Sequence, residues 1–244
     1  MKTALVTGAS RGIGKATALL LAKHEYQIVI NYCNSETEAL SLAEEINRKY
    51  PRRALPVRAD ISSPTEIANL MVQAREFFGS IDILVNNAGV SVSGLVTDTT
   101  EAEWDRLFNV NVKGMFLVAK AVLPYMISRQ SGKIINVSSI WGITGASYEV
   151  AYSTTKAAVI GFTKALAREV GPSGIQVNCV APGVIDTDMN TNLDKQSLDD
   201  LKEQTPLGAI GTPEDVAQTI LFLAGENSNF ITGQVISPNG GFCI

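Results

Sequence analysis

The sequence predicts an α/β fold, a doubly wound, mostly parallel seven-stranded sheet with helices on both faces. Three observations predict it. Short Val- and Ile-rich runs alternate with longer amphipathic stretches along the whole sequence. The strand-like runs are largely unbroken by charge, as strands covered on both faces must be. A glycine-rich turn joins the first such run to the first helical stretch, which is how a right-handed strand–helix–strand unit begins.

In chain order, strands are expected at Thr3–Thr7, Gln27–Tyr32, Ala54–Ala59, Asp82–Asn86, Lys133–Ser138, Ile175–Ala181 and Gln234–Ile236. Helix starts are marked between them. Ser63-Pro64-Thr65-Glu66 places a capping serine before proline, with an acid three residues after the cap, and Thr212-Pro213-Glu214-Asp215 repeats that logic. His24, the one histidine, falls at the end of the first helix and is expected to cap or to face solvent. No linker, low-complexity tract or repeat interrupts the pattern. Residues 1–244 are therefore expected to form one domain.

Composition excludes several classes. Of 244 residues, 45% are hydrophobic and 18% charged, a globular rather than a disordered balance. The net charge of -4 gives no reason to expect a nucleic-acid partner. Cys33, Cys179 and Cys243 are scattered and odd in number, which argues for a reducing compartment, and no metal-type spacing is present. No apolar run approaches the ~20 residues of a membrane span, and the apolar start is too short for a secretory signal. A cytoplasmic protein with no membrane partner is expected.

The glycine turn reads Thr7-Gly8-Ala9-Ser10-Arg11-Gly12-Ile13-Gly14. Gly8 suits the tight turn, Gly12 lets backbone approach a pyrophosphate, and Gly14 lets helix and strand pack closely. The helix that follows offers unpaired N–H groups to phosphate. Placed between the first strand and first helix, the turn predicts a dinucleotide site. NAD-binding sites usually carry an acid at the end of strand two. Here Asn31-Tyr32-Cys33-Asn34 has none, while Arg11 sits in the turn where a guanidinium can pair with a 2′-phosphate. The expected cofactor is NADP(H).

Tyr152-Ser153-Thr154-Thr155-Lys156 opens a later helix. Its i, i+4 spacing puts Tyr152 and Lys156 on one face. A Tyr-x3-Lys pair alone means little. Here it follows Ser138-Ser139, which lies at the end of a predicted strand where ligands of open α/β sheets bind.

With these pieces on the page, the chain resembles the short-chain dehydrogenase/reductase family, Rossmann-type enzymes, over its whole length. The matching residues are the turn at 8–14, Asp60, Asn86-Asn87-Ala88-Gly89, Asn111, Ser139, Tyr152, Lys156 and Pro182-Gly183 followed by Thr187. The resemblance implies that Tyr152 is the acid/base, Ser139 orients the carbonyl and Lys156 anchors a ribose. It implies that Asn111 holds a backbone position and a water that feeds protons to Lys156. Asp60 would contact adenine and Thr187 the nicotinamide amide. Ser10, Ile13, Asn31, Ile61, Asn87, Ala88, Gly89, Pro182, Gly183 and Ile185 complete the expected cofactor cleft. A free phenol, with pKa ~10, is a poor base at neutral pH, so Lys156 and an oxidised nicotinamide are expected to favour phenolate.

Within the family, Val180–Met189 and Ile231–Val235 are similar to the 3-oxoacyl-acyl-carrier-protein reductases of bacterial fatty-acid synthesis. Those reductases tend to present basic residues to their acidic carrier, whereas the turns at 128–131 and 171–174 offer only Arg129. Trp141 and Glu149, in the expected substrate loop, instead resemble reductases of 5-aminopentanone-modified elongation factor P. A carboxylate at Glu149 suits a cationic substrate. A reading of another class is a non-catalytic NADP(H)-binding scaffold or redox sensor, which would be expected to lack the tyrosine or lysine. The segment 188–207 is expected to form a lid. A homotetramer is expected by resemblance, supported by Met115, Phe116, Val122, Ile160 and Phe162 exceeding one sheet-facing stripe.

Overall fold

The computed structural model describes residues 1–188 and 195–244. Its strands are β1 (Thr3–Val6), β2 (Gln27–Tyr32), β3 (Ala54–Arg58), β4 (Ile83–Asn86), β5 (Gly132–Val137), β6 (Ile175–Val180) and β7 (Val235–Ile236). Each expected strand is present within one residue at either end. The sheet order is β3-β2-β1-β4-β5-β6-β7, and every pairing is parallel. The order reverses beside β1. All seven strands therefore deliver their C-terminal ends to one edge, and the switch point on that edge lies above β1 and β4.

Helices α1 (Gly12–Lys23), α2 (Glu36–Lys49), α3 (Pro64–Phe78), α4 (Glu101–Phe108), α5 (Met115–Ser128), α6 (Trp141–Thr144), α7 (Val150–Val170), α8 (Lys195–Gln204) and α9 (Pro213–Ala224) fill the connections. Strand residues alternate faces with period two. Ala4, Val6, Ile28, Ile30 and Val85 pack under α1, α2 and α9. Leu5, Val29, Leu84, Ile134 and Val177 pack under α3, α5 and α7. The start signals work as expected. Ser63 accepts from Glu66 N–H, and Thr212 and Asp215 form a reciprocal capping box. A second such box, Thr100 with Glu103, opens α4. His24 is exposed at the end of α1.

One expectation changes. The run Glu101–Ser128 is one continuous helix, long and apolar enough by composition to cross a membrane. Its polar residues are interspersed, so no unbroken apolar run announces it. Met115, Val118, Val122 and Met126 pack it onto the sheet. Met115 and Val122 thus belong to the core and do not mark a second face. Ile160 and Phe162 are half-buried, and Phe116 is exposed together with Tyr125 and Ile127. Of the expected lid, only 188 and 195–207 lie within the described residues; α8 lies there.

Candidate active site

The glycine turn shapes one end of the switch-point edge. A Cβ on Gly14 would stand 2.4 Å from the Gly8 carbonyl and 2.6 Å from Asn87 Nδ2, so only glycine fits. No side chain caps α1, which leaves its first N–H groups facing the cleft. That is the cradle a pyrophosphate needs. Thr7 is a residue that motif reading missed. Its hydroxyl accepts from the N–H groups of Asn87 at 3.0 Å and Ala88 at 3.1 Å. Asn87 Nδ2 returns bonds to the carbonyls of Thr7, 2.9 Å, and Gly8, 3.0 Å. Asn31 is buried, bonding Ala59 O at 2.9 Å and accepting weakly from Gly8 N–H at 3.4 Å. Asn31 and Asn87 therefore hold the turn from behind. Gly12 and Thr187 face each other, since a Cβ on Gly12 would lie 3.4 Å from Thr187 Cγ2.

The remaining cofactor candidates ring this turn. Ser10 is buried and Ile13 half-buried against the α1 core. Asp60 Oδ1 accepts from Ser62 N–H and Oγ, both at 2.8 Å, which fixes the carboxylate after β3. Ile61 is buried beneath Gly114. Pro182 O accepts from Ile140 N–H at 2.9 Å, Gly183 N–H donates to Pro238 O at 3.1 Å, and Ile185 is buried. Arg11 projects into solvent and pairs with Asp188 at 3.6 Å. A second guanidinium, missed in the sequence, lies at the end of β3. Arg58 pairs in register with Tyr32 at the end of β2, and its Nε donates to Cys33 O at 3.2 Å. Only strand pairing across 26 residues reveals it.

The catalytic candidates converge on the same edge. Tyr152 is buried among Leu107 and Ala151, with Val90, Val92 and Trp141 packed around them. Lys156 Nζ lies 5.5 Å from the centroid of the Tyr152 ring and donates to Val137 O at 3.0 Å. It also lies 3.4 Å from where a Cβ on Gly89 would stand. Ser139 is buried, and its Oγ accepts from Trp141 N–H at 3.1 Å, so its own proton is free to point elsewhere. Asn111 sits in a π-helical turn, Asn109–Gly114, between α4 and α5. Such turns frequently mark functional positions. Its Oδ1 accepts from Val90 N–H at 2.8 Å, while Nδ2 donates to Val90 O at 2.9 Å and Thr155 Oγ1 at 3.0 Å. Periodicity alone gives no sign of that turn.

Burial dominates the electrostatics. It pushes the Tyr152 phenol above its ordinary range; Glu149 adds to the rise, and Ser139 opposes it. Burial lowers Lys156 to about 8, with the neighbouring Cys179 thiol acting in the opposite sense. Cys179 itself, a buried neighbour the motifs missed, is raised to about 11 by desolvation. Glu149 is raised by desolvation and lowered by Ser93, whose hydroxyl donates to its Oε1. The Glu149 side chain makes no cap for α7. Its Oε2 is buried with no protein hydrogen-bond partner. Gly94 N–H donates to Tyr148 O at 2.8 Å, so the segment after β4 and the start of α7 are tied together twice.

The family model described as enoyl-(acyl carrier protein) reductase matches residues 8–243. The 3-oxoacyl-[acyl-carrier-protein] reductase of Staphylococcus epidermidis is 42% identical over 240 residues, covering 98% of both chains. That of Aquifex aeolicus is 43% identical over 240 residues, covering 98% of this chain and 96% of its own. Among solved structures, the 3-oxoacyl-[acyl-carrier protein] reductase of Brucella melitensis superposes with a TM-score of 0.94 at 33% identity, covering 100% of this chain and 92% of the other.

Proposed function

The chain belongs to the short-chain dehydrogenase/reductase family, and from that premise we propose that it is a single-domain NADPH-dependent reductase of 3-oxoacyl groups carried on acyl carrier protein. The observation that carries the reading is the meeting of Tyr152, Ser139 and Lys156 on the sheet edge that also holds the uncapped glycine turn. The named relatives, similar over nearly their full lengths, support the substrate.

The glycine turn would hold the pyrophosphate of a nicotinamide dinucleotide, which would supply the hydride when bound. Tyr152, held as phenol by its buried setting, gives its proton to the substrate oxygen as that oxygen gains charge. Ser139 donates a hydrogen bond to the same oxygen, because its acceptor side already holds Trp141 N–H. Lys156, fixed by Val137 O and adjacent to Gly89, holds the ribose and restores the phenolic proton. Asn111 fixes the loop carrying Val90, the wall against which the phenol packs. Arg11 in the glycine turn and Arg58 beside the end of β2 offer guanidinium groups to a 2′-phosphate, which supports NADPH over NADH. Phe116, Tyr125 and Ile127 supply the apolar surface for assembly into a tetramer.

The test follows NADPH oxidation with a 3-oxoacyl thioester on acyl carrier protein, then on the free pantetheine arm. Turnover with both, and a lower KM on the carrier, is expected. No turnover with either removes the reading. A second reading, a ketone bearing an ammonium group as on modified elongation factor P, is favoured by one observation, the unpartnered buried oxygen of Glu149.

A further inference from the structure

The segment after β7, Ser237-Pro238-Asn239-Gly240-Gly241-Phe242, is folded into a hook by its own sequence. Asn239 is the centre. Its Oδ1 accepts from Gly241 N–H at 2.8 Å, its carbonyl accepts from Phe242 N–H at 3.1 Å, and its Nδ2 donates to Cys243 O at 2.7 Å. Gly241 takes φ +89, a conformation that glycine adopts freely.

The hook touches three parts of the site at once. Ser237 Oγ donates to Ala181 O at 2.6 Å, and Pro238 O accepts from Gly183 N–H, so one side grips the expected cofactor loop. Gly240 O accepts from Leu207 N–H at 3.1 Å, just beyond α8. Its tip, half-buried Phe242, meets Trp141 edge-on with ring centroids 5.6 Å apart and planes at 82°. Trp141 in turn packs against the Tyr152 cluster, and its N–H holds the Ser139 hydroxyl.

Resting on the reductase reading above, we propose that Phe242 is a specificity-determining residue. It seats Trp141 against the phenol and forms with it an aromatic wall for the apolar chain of the ketone. Edge-to-face pairs hold their geometry better than area burial alone, so the wall is set by two residues a hundred positions apart. Removing the Phe242 ring deletes contact with the first carbons of the chain and opens space behind Trp141. Short acyl chains lose more than long ones.

The experiment measures kcat/KM for a short and a long 3-oxoacyl thioester in wild type, Phe242→Ala and Phe242→Tyr, with NADPH affinity alongside. In Phe242→Ala the short-to-long ratio falls roughly tenfold, the scale on which apolar pockets discriminate chain length. Phe242→Tyr keeps the wild-type ratio, and NADPH affinity stays level. If Phe242→Ala does not fold, Phe242→Leu reads the same ratio without the aromatic edge. An unaltered ratio overturns the inference, as does a parallel fall for both substrates with weakened NADPH binding, since the hook would then be only structural. Failure of the wild type on both thioesters overturns the reductase reading instead.

Discussion

The two halves of the site are built by different means. The glycine-turn half depends on backbone. Gly8 follows β1 within two residues, and Gly12 and Gly14 lie in the first turn of α1, which starts uncapped. The substrate half depends on side chains brought from far apart. Ser93 meets Glu149 and Trp141 meets Phe242, pairs of residues 56 and 101 positions apart. Local pattern therefore specifies where a dinucleotide lies, whereas long-range contact specifies what is reduced.

The sharpest way to separate chemistry from binding is Tyr152→Phe. The phenol oxygen is the sole proton donor assigned to the substrate. Turnover is expected to fall by about 10²–10⁴-fold, the range of general acid–base catalysis. The ring stays in its cluster with Leu107 and Ala151, so NADPH binding is retained, as fluorescence titration would read. Undiminished turnover would remove Tyr152 from the mechanism.

Gly14→Ala attacks the backbone half. The new methyl meets the Gly8 carbonyl and the Asn87 amide, which are bonded to each other, the amide being held also by the Thr7 carbonyl. Backbone cannot move aside as a flexible side chain would. Overpacking of this kind costs about 1–3 kcal/mol, and the turn it distorts is the phosphate cradle. Melting temperature and NADPH affinity should drop together. A stable variant with full affinity would mean that the turn is looser than its contacts indicate.

Most of the fold was legible in the sequence for the reason that makes Gly14 sensitive. Buried parallel strands need unbroken apolar runs, and Ser63 and Thr212 announce their helices within four residues. The π-helical turn at Asn109–Gly114 was not legible, because a one-residue change of helical period leaves no compositional mark. Tyr152, Lys156 and Ser139 were legible from spacing and strand position. Thr7, Arg58 and Phe242 were not. Each acts through a partner between 25 and 101 positions away. Met115 and Val122 were read as part of a second buried face because two apolar faces of one helix look alike until one meets the sheet.

Arg11→Ala probes the boundary between the halves. Its guanidinium is exposed and lies 3.6 Å from Asp188, so the ion pair seen here contributes little. Against a 2′-phosphate, a charge-assisted hydrogen bond contributes about 1.5–3 kcal/mol; solvent exposure places Arg11 near the lower end, roughly a tenfold loss in NADPH affinity. NADH, which lacks the phosphate, should bind as before. Arg58→Ala tests whether the second guanidinium shares the load. Equal weakening of both cofactors by Arg11→Ala would sink the NADPH preference.

The smallest effect, and the one that reads the substrate half alone, is Glu149→Gln. The substitution keeps the shape and the bond from Ser93 while removing a charge that raises the Tyr152 phenol. A nearby negative charge disfavours phenolate, so its loss lowers the phenol's pKa. Alcohol oxidation with NADP⁺ requires phenolate; its kcat/KM should therefore rise at a lower pH in the variant, with no matching shift in NADPH affinity. Glu149 is itself raised by desolvation, so the folded state binds its proton more readily than the unfolded chain. Stability from this group is greatest below the ordinary carboxylate range and declines as pH rises through its raised value. Glu149→Gln should flatten that decline, which thermal melts across the acid range would show. The ammonium-ketone reading adds one more contrast. If Oε2 receives a cation, the ratio of kcat/KM for an ammonium-ended ketone over its methyl-ended counterpart falls in Glu149→Gln. If both ketones respond alike, the carboxylate acts only through Tyr152, and the acyl-carrier substrate stands without that competitor.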